Sequence, residues 1–449
     1  MSSYLNRIQI TIDEETDVAL EELEAEGMVN DVDGEVPVEH VINITEVDVS
    51  IAEDERTIGA EVDAMNSAND VTTDLTEQVA VEEELLENPE DLTDQAAEIT
   101  QDAFVISLAK LKFPKEEYSR YLTTMDNDYT PAERVAVTLD GVKDFLLRIK
   151  EHIIAFFRSI KEKLKRLYSK IWVFLANVGK RAEALQKKIR ENANLKQGSF
   201  NDNDANNNKL YSFFPMGAIQ KKNIDTIVEE LGEGTPAIGM NEIKQIVNVI
   251  KNNAFSKKTS ATINDINKII NSNAHPWASW FTNSGLLKKV ERAGKGNSVN
   301  SHSVILRGAA SNTIKAMRWY CAVGTTEVVP SVETYDIRIP SEYTRDRSAP
   351  KGLNGEKVIK YLDTVVKLSK GIKSFADNTY KQMEDINKSI VDELDKFKKS
   401  DTVKPHTVIK VSSVCRTMVA NVAFNRVMDQ SKAIRRLLAM CNFIVNNLK

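Results

Sequence analysis

The sequence predicts a mainly α-helical protein in which long amphipathic helices pack as a bundle. Between Thr130 and Glu191, apolar residues recur at steps of three and four, the spacing of one face of an α-helix. Two further runs with this spacing extend from Val358 to Phe397 and from Val408 to Ile444. Residues 322–339 show the alternation that is typical of strands, which indicates a short β-hairpin or an extended arm.

The charge is divided unevenly along the chain. Residues 1–100 contain 30 acidic residues and only two basic ones, Arg7 and Arg56, for a net charge of −28. Residues 101–449 carry 57 basic and 36 acidic residues, a net charge of +21, so the overall −7 conceals an acidic leader on a basic body. Few aromatic residues and high charge predict that residues 1–98 are largely disordered. The leader is either a solvated acidic tail or a segment that pairs electrostatically with the basic body.

Residues 99–197 are predicted to form the long-helix region. A shorter apolar helix begins near Ala103 and is stopped by Pro114. The segment Thr130-Pro131-Ala132-Glu133 is a capping box with proline in the first helical position, and the helix that it starts is expected to end near Asn192. A helix of about 60 residues would be roughly 90 Å long, so it must pack against partners or bend.

The rest of the chain is predicted to form a linker and two domains. Residues 198–217, rich in Asn and Asp, indicate a linker. Residues 218–355 indicate a central domain of short helices with the β segment, the expected helices covering residues 224–231, 241–250, 261–270, 286–292 and 304–317. Residues 356–449 contain two long helices with a short connection, which predicts an antiparallel hairpin that packs with the basic helix.

The sequence contains no pattern of catalytic or metal-binding residues. The five histidines show no metal-ligand spacing; they are His40, His152, His275, His302 and His406. The three cysteines, Cys321, Cys415 and Cys441, form neither a disulfide framework nor a zinc pattern and fit a reducing compartment. A phosphate loop, a nucleophile elbow, a signal peptide and a stretch of 18 apolar residues are all absent from the sequence. We therefore predict a protein without enzymatic activity, cofactor or metal.

The basic helix is the strongest candidate for a functional surface. From Gly141 to Arg190 it carries 14 basic and 4 acidic residues. Such a helix can neutralise nucleic-acid phosphates without reading base sequence. The candidate DNA-binding residues are Lys143, Arg148, Lys150, Arg158, Lys161, Lys163, Lys165, Arg166, Lys170, Lys180, Arg181, Lys187 and Lys188.

Two other interpretations of the basic helix stay open. The cations can form an ordinary solvated face. Alternatively, the protein is membrane-active, a pore-former or a membrane-remodelling factor, and the helix binds an anionic bilayer. In that case its insertion face would consist of Phe156, Phe157, Trp172 and Phe174.

The acidic leader, basic helical body and bundle-like end together resemble the internal head, or inner body, proteins of phiKZ-like giant myoviruses. The resemblance implies a propeptide that a prohead protease removes after a glutamate preceded, two residues earlier, by a small residue. Ala96-Ala97-Glu98, followed by Ile99, matches this pattern where the acidity ends. Secondary candidates end at Glu21, Glu61 and Glu82. Removal of residues 1–98 would leave a net charge of +21.

The resemblance implies a structural virion protein that is packaged inside the phage head and passes through the host cytoplasm during assembly. The expected partners are packaged DNA, bound through its backbone, the prohead protease, and other head or core proteins. Self-association, membrane contact and ejection together with the DNA are left open.

Overall fold

The computed structural model describes residues 44–122, 129–219, 222–235, 237–253, 264–266, 268–269, 299–310, 312–321, 331–339, 348–397 and 404–449. These residues are mostly helical, which confirms the predicted mainly α class. The chain divides into two units, Met1–Glu46 and Val47–Lys449. Of the first unit, the structure describes only the three residues that open the first helix.

Four long helices form the body of the second unit. They are α1 (Ile44–Leu86), α4 (Pro131–Glu191), α10 (Gly355–Phe397) and α11 (Pro405–Asn446). Shorter helices are α2 (Asp94–Lys110), α3 (Lys115–Tyr118), α5 (Ala193–Gln197), α6 (Asp204–Ser212), α7 (Pro215–Ile219), α8 (Ile224–Glu233) and α9 (Met240–Asn253). Single 3₁₀ turns occupy Pro89–Asp91 and Ser119–Tyr121.

The four long helices run alternately up and down. Within the C-terminal pair, Arg416 Nε donates to Asn387 Oδ1 at 3.2 Å, which places the two helices antiparallel across their short connection. Helix α4 packs against both of them, and Tyr168 Oη donates to the carbonyl oxygen of Ala423 at 2.7 Å. Helix α11 is buried over nearly its whole length, because helices and strands surround it on every side. It is therefore the centre of the bundle.

The basic helix α4 begins as its capping box predicts. The backbone N–H of Thr130 donates to Glu133 Oε2 at 2.8 Å, and the N–H of Glu133 donates to Thr130 Oγ1 at 3.3 Å. The helix ends at Glu191, and Asn192 then caps α5 with its side chain. The apolar face lies inside the bundle, so the helix gains its stability from packing rather than from propensity alone.

The predicted disorder of the leader does not hold for residues 44–98. They form α1 and the start of α2, and side chains such as Ile58, Met65 and Leu75 are buried. The physical reason is that α1 keeps a sparse apolar stripe at helical spacing, while its many acids find cationic partners on neighbouring elements. Residues 1–43 lie outside the described part of the chain.

The predicted linker at residues 198–217 is also a folded part of the second unit. Ser199 N–H donates to the carbonyl oxygen of Lys449 at 2.9 Å, and Phe200 N–H donates to that of Leu353 at 2.9 Å. Buried Leu210 and Phe214 anchor the following turns. These backbone hydrogen bonds join the segment to residues beside the start of α10 and the end of α11. The segment therefore crosses this end of the bundle.

A three-stranded antiparallel sheet replaces the helix predicted at residues 304–317. Its strands are β1 (Val299–Arg307), β2 (Thr313–Cys321) and β3 (Ser331–Arg338), in the order β1-β2-β3. The spacing of apolar residues in this region also fits a helix. The chain forms strands there because β2 pairs with β3, a contact that the local spacing does not indicate. The segment predicted as a hairpin or arm supplies β3, which pairs with β2. Helices 224–231 and 241–250 correspond to α8 and α9, whereas 286–292 and half of 261–270 lie outside the described residues.

The sheet is fixed to the central helix by two buried contacts. Trp319 Nε1 donates to Met418 Sδ at 3.1 Å. Asp429 Oδ1 accepts the backbone N–H groups of Gly308 and Ala309 at 2.8 and 2.9 Å, which holds the turn between β1 and β2. Burial raises the pKa of the Asp429 carboxyl, and these two hydrogen bonds act in the opposite direction.

Candidate nucleic-acid interface

The candidate DNA-binding residues of α4 divide into two groups, and the first group is engaged in ion pairs. Three of its lysines contact acids of α1: Lys143 with Glu83 at 3.2 Å, Lys163 with Glu61 at 2.5 Å, and Lys170 with Asp54 at 2.6 Å. The other ion pairs join Lys161 to Glu384, Arg148 to Asp144 and Glu117, and Lys187 to Glu191. These cations are therefore already neutralised in part.

The second group lies on the solvent side of α4. Its side chains are exposed, and among the described residues they form no ion pair; the group comprises Arg158, Lys165, Arg166, Lys180, Arg181 and Lys188. Neighbouring Arg190 is exposed as well. Lys150 is half-buried and has contacts of its own. The exposed group is thus the part of the predicted interface that is open to a ligand. We call it the outer cationic face.

The acids of α1 also reach cations outside the basic helix, and sequence reasoning missed these partners. Glu83 contacts Lys404, the N-cap of α11, at 2.8 Å, and Glu77 contacts Lys410 of α11 at 3.7 Å. Asp63 pairs with Lys315 on β2 at 3.3 Å, and Asp74 pairs with Lys110 on α2. The sequence signal was the apolar period within residues 58–79, which marks an amphipathic helix inside the acidic leader.

Glu55 forms the most enclosed of these ion pairs. Its Oε1 lies 2.6 Å from Arg307 Nη1 and 3.1 Å from Lys432 Nζ. Burial by itself would raise the pKa of this carboxyl, but the charges of Lys432 and Arg307 outweigh it and lower that pKa to about 2. Burial lowers the pKa of the Lys432 ammonium to about 8, against the opposing effect of Glu55. The acidic helix is therefore linked to both the sheet and the central helix.

The predicted cleavage site lies inside a helix. Ala96-Ala97-Glu98-Ile99 forms part of the first turns of α2, where Ala97 is fully buried and Ile99 is 61% exposed. The secondary candidate Glu61 is paired with Lys163, and Glu82 is completely buried. Glu21 is outside the described residues. A protease needs an extended substrate, so cleavage at residue 98 requires this turn to unfold or not yet to have folded.

The described cysteine and histidine side chains, which could otherwise take part in catalysis or metal binding, are buried or packed against other side chains. Cys415 and Cys441 are buried free thiols, and burial raises both pKa values, that of Cys415 to about 12. Burial lowers the pKa of His406 to about 4, while His152 packs edge-on against Phe156. Across the described ranges, no group of three or more His, Cys, Asp or Glu side chains is placed to hold a metal ion. His40 and His275 lie outside those ranges, as does the side chain of His302.

The bundle buries two of the four aromatic residues that a membrane-inserting helix would use, whereas Phe156 is half-buried and Trp172 is exposed. Phe157 and Phe174 are buried, and the guanidinium of Arg435 lies 5.6 Å from the centre of the Phe174 ring. Trp172 is 36% exposed and lies beneath the ammonium of Lys373. Within the described part of the chain, no helix has the length and apolar character needed to span a bilayer.

The comparisons with known proteins give one result. A family model described as phiKZ-like phage internal head proteins matches residues 21–311, which is more than half of the chain. The match includes both α1 and α4 and ends before the C-terminal hairpin. No curated protein and no solved structure shows a significant match. The family match agrees with the resemblance seen in the charge layout, and it shows that this chain belongs to the phiKZ-like phage internal head proteins, structural proteins of the head interior.

Proposed function

We propose that this internal head protein associates with packaged DNA by binding phosphates with the outer cationic face of α4. The observation that supports the proposal is that the six exposed cations of this face form no ion pair with an acid of the described residues. Exposed lysines and arginines release counterions from DNA and give binding that is independent of base sequence. Packing of the apolar face of α4 in the bundle leaves these side chains on the solvent side of the helix.

The test is salt-dependent retention of a random-sequence DNA duplex by the full chain. In one variant Lys165, Lys180 and Lys188 are changed to Gln. The logarithm of the affinity should then depend less steeply on the logarithm of the salt concentration, by about 0.9 for each phosphate that the variant no longer neutralises.

A control variant removes the same charge elsewhere. Lys360, Lys381 and Lys388 are exposed lysines of α10, and their change to Gln should leave the salt dependence close to that of the unmodified chain. Equal effects of the two variants, or no salt-sensitive DNA retention at all, would contradict the proposal.

We further propose that proteolytic removal of the acidic leader after Glu98 matures the protein, with the prohead protease as its partner. The physical support is that cleavage there would separate α1 from the cations that it neutralises, among them Lys163 and Lys170. Peptide mapping of purified particles tests this proposal. Peptides before Ile99 should be depleted relative to later ones, and equal abundance would refute removal of the leader.

Passage through the host cytoplasm during assembly and ejection with the DNA remain predictions, as do contacts with particular head or core proteins and self-association. Ejection can be tested by labelling particles and following this chain after infection. Recovery of the label in infected cells would support it, and recovery only with empty heads would exclude it.

A further inference from the structure

The acidic helix α1 covers a second cationic surface, distinct from the outer cationic face. One edge of this surface belongs to α4, with Lys143, Lys163 and Lys170. The other belongs to α11 and its N-cap, with Lys404, Lys410 and Lys432. Every one of these six lysines forms an ion pair with an acid of α1. Helix α1 therefore lies between two cationic edges, and we call the surface beneath it the covered cationic surface.

The covered cationic surface has the dimensions of a nucleic-acid contact. From Lys404, the N-cap of α11, to Lys432 there are 28 residues, which is about 42 Å at 1.5 Å per residue. On α4, 27 residues separate Lys143 from Lys170, or about 40 Å. Phosphates follow each other along a DNA strand at about 3.4 Å per nucleotide, so each edge spans about twelve of them. An acidic helix and a phosphate backbone are both rod-like polyanions of this length.

The contact between α1 and α11 contains buried polar pairs as well as apolar side chains. Asn421 Nδ2 donates to Asn66 Oδ1 at 2.7 Å, and Ser413 Oγ donates to Asn69 Oδ1 at 2.8 Å. Asn69 Nδ2 lies buried with no hydrogen-bond partner among the described residues, and a buried polar group in this state costs free energy. The lost hydrogen bond at Asn69 reduces the stability that this part of the interface contributes.

We infer that α1 occupies a binding site for a nucleic-acid phosphate backbone, and that such a polyanion displaces the acidic helix by competing for the same lysines. The inference rests on the proposed DNA association and adds a second contact surface whose exposure α1 controls. The apolar side chains of α1, such as Ile58 and Met65, hold the helix in place without a competitor. Ion pairs at partly exposed sites are weak individually and are screened by salt, so an array of phosphates can replace them.

The first test uses charge-neutralising variants of the full chain. In the interface variant, Asp54→Asn, Glu61→Gln, Glu77→Gln and Glu83→Gln remove acids that pair with the covered cationic surface. In the control variant, the exposed acids Glu53, Glu84, Glu87 and Glu90 are changed to Gln, which alters the net charge by the same amount. The interface variant should retain duplex DNA about tenfold more tightly than the control, because it exposes additional lysines to phosphate.

The second test needs no variant and therefore does not depend on how the substitutions affect folding. Hydrogen exchange of the unmodified chain is measured with and without duplex DNA at low salt. Displacement predicts that the amides of α1 exchange faster when DNA is bound, while those of α11 stay protected. Polyglutamate of similar length serves as a competing acidic polypeptide.

Three results would overturn the inference. One is DNA retention with unchanged exchange in α1. Another is equal affinity of the two variants, and the third is displacement of α1 by polyglutamate but not by DNA. Failure of the proposed DNA association gives a different pattern, since neither variant nor the unmodified chain would then retain DNA in a salt-sensitive manner.

Discussion

Gly141 illustrates at the residue scale how the basic helix accommodates its neighbours. A Cβ atom at this position would lie 2.7 Å from Cγ of Tyr121, closer than side-chain atoms approach one another. Glycine within a helix is normally unfavourable relative to alanine. Its presence here is explained by the turn Ser119–Tyr121, which packs directly on α4.

We predict that Gly141→Ala destabilises the protein by about 1–3 kcal/mol, because the added methyl group overlaps the Tyr121 side chain. The matched control is Gly371→Ala in α10, where no atom lies within 4 Å of the added group. That change should raise the free energy of unfolding by about 0.5–1 kcal/mol through helix propensity. Urea unfolding followed by circular dichroism measures both. Effects of the same sign would show that the contact with Tyr121 does not determine the outcome.

At the scale of the element, α1 is held by a buried carboxyl as well as by ion pairs. Glu82 is fully buried, and Gln78 Nε2 donates to its Oε1 at 2.6 Å and to the carbonyl oxygen of Thr100 at 2.8 Å. Burial raises the pKa of Glu82 from 4.5 to about 8, although the hydrogen bond from Gln78 and the charge of Lys143 oppose the change. Through Gln78, the Glu82 carboxyl at the end of α1 is connected to Thr100 of α2.

A pKa that is higher in the folded state implies that folding favours the protonated carboxyl. The contribution of Glu82 to stability is therefore fully present below pH 4.5 and is lost as the pH rises through about 8. We predict that Glu82→Gln becomes increasingly stabilising relative to the unmodified chain across this window, by at most about 1.4 kcal/mol per pH unit. Urea unfolding at a series of pH values measures the difference.

Glu84→Gln, a change at an exposed position two residues further along α1, is the control and should leave the free energy of unfolding nearly unchanged at every pH. A pH-independent difference between the Glu82 variant and the unmodified chain would show that Glu82 is ionised in the folded protein.

The basic helix and the acidic helix differ in how far their sequences define them. Helix α4 has a capping box and an uninterrupted apolar period, so the local sequence predicts its start at Pro131 and its end near Glu191. Helix α1 has few large apolar residues and many acids, a composition that favours disorder in isolation. Its order depends on contacts with elements more than a hundred residues away, such as Lys163 and Lys432.

At the scale of the whole molecule, the tertiary structure brings the acidic helix α1 into contact with the basic part of the chain. Residues Val47–Lys449 form one compact unit, so the acidic residues 47–100 and the basic part that follows them are not separate domains. Within the part of the chain that the structure describes, many acids of α1 pair with cations of other elements; they include Asp54, Glu55, Glu61, Asp63, Asp74, Glu77 and Glu83. Loss of residues 1–98 would therefore alter the bundle itself as well as its net charge.

The sequence by itself determined the helical class, the limits of the basic helix, the uneven charge and the resemblance to internal head proteins, because period, caps and composition are local properties. Only the tertiary structure decided which cations face solvent, that residues 304–317 pair as strands, and that α1 packs as a helix on the bundle. Those outcomes depend on partners distant in the chain, such as Lys404 and Lys410 for the acids of α1. An ion pair or a strand pairing is set by proximity in space, which local sequence does not specify.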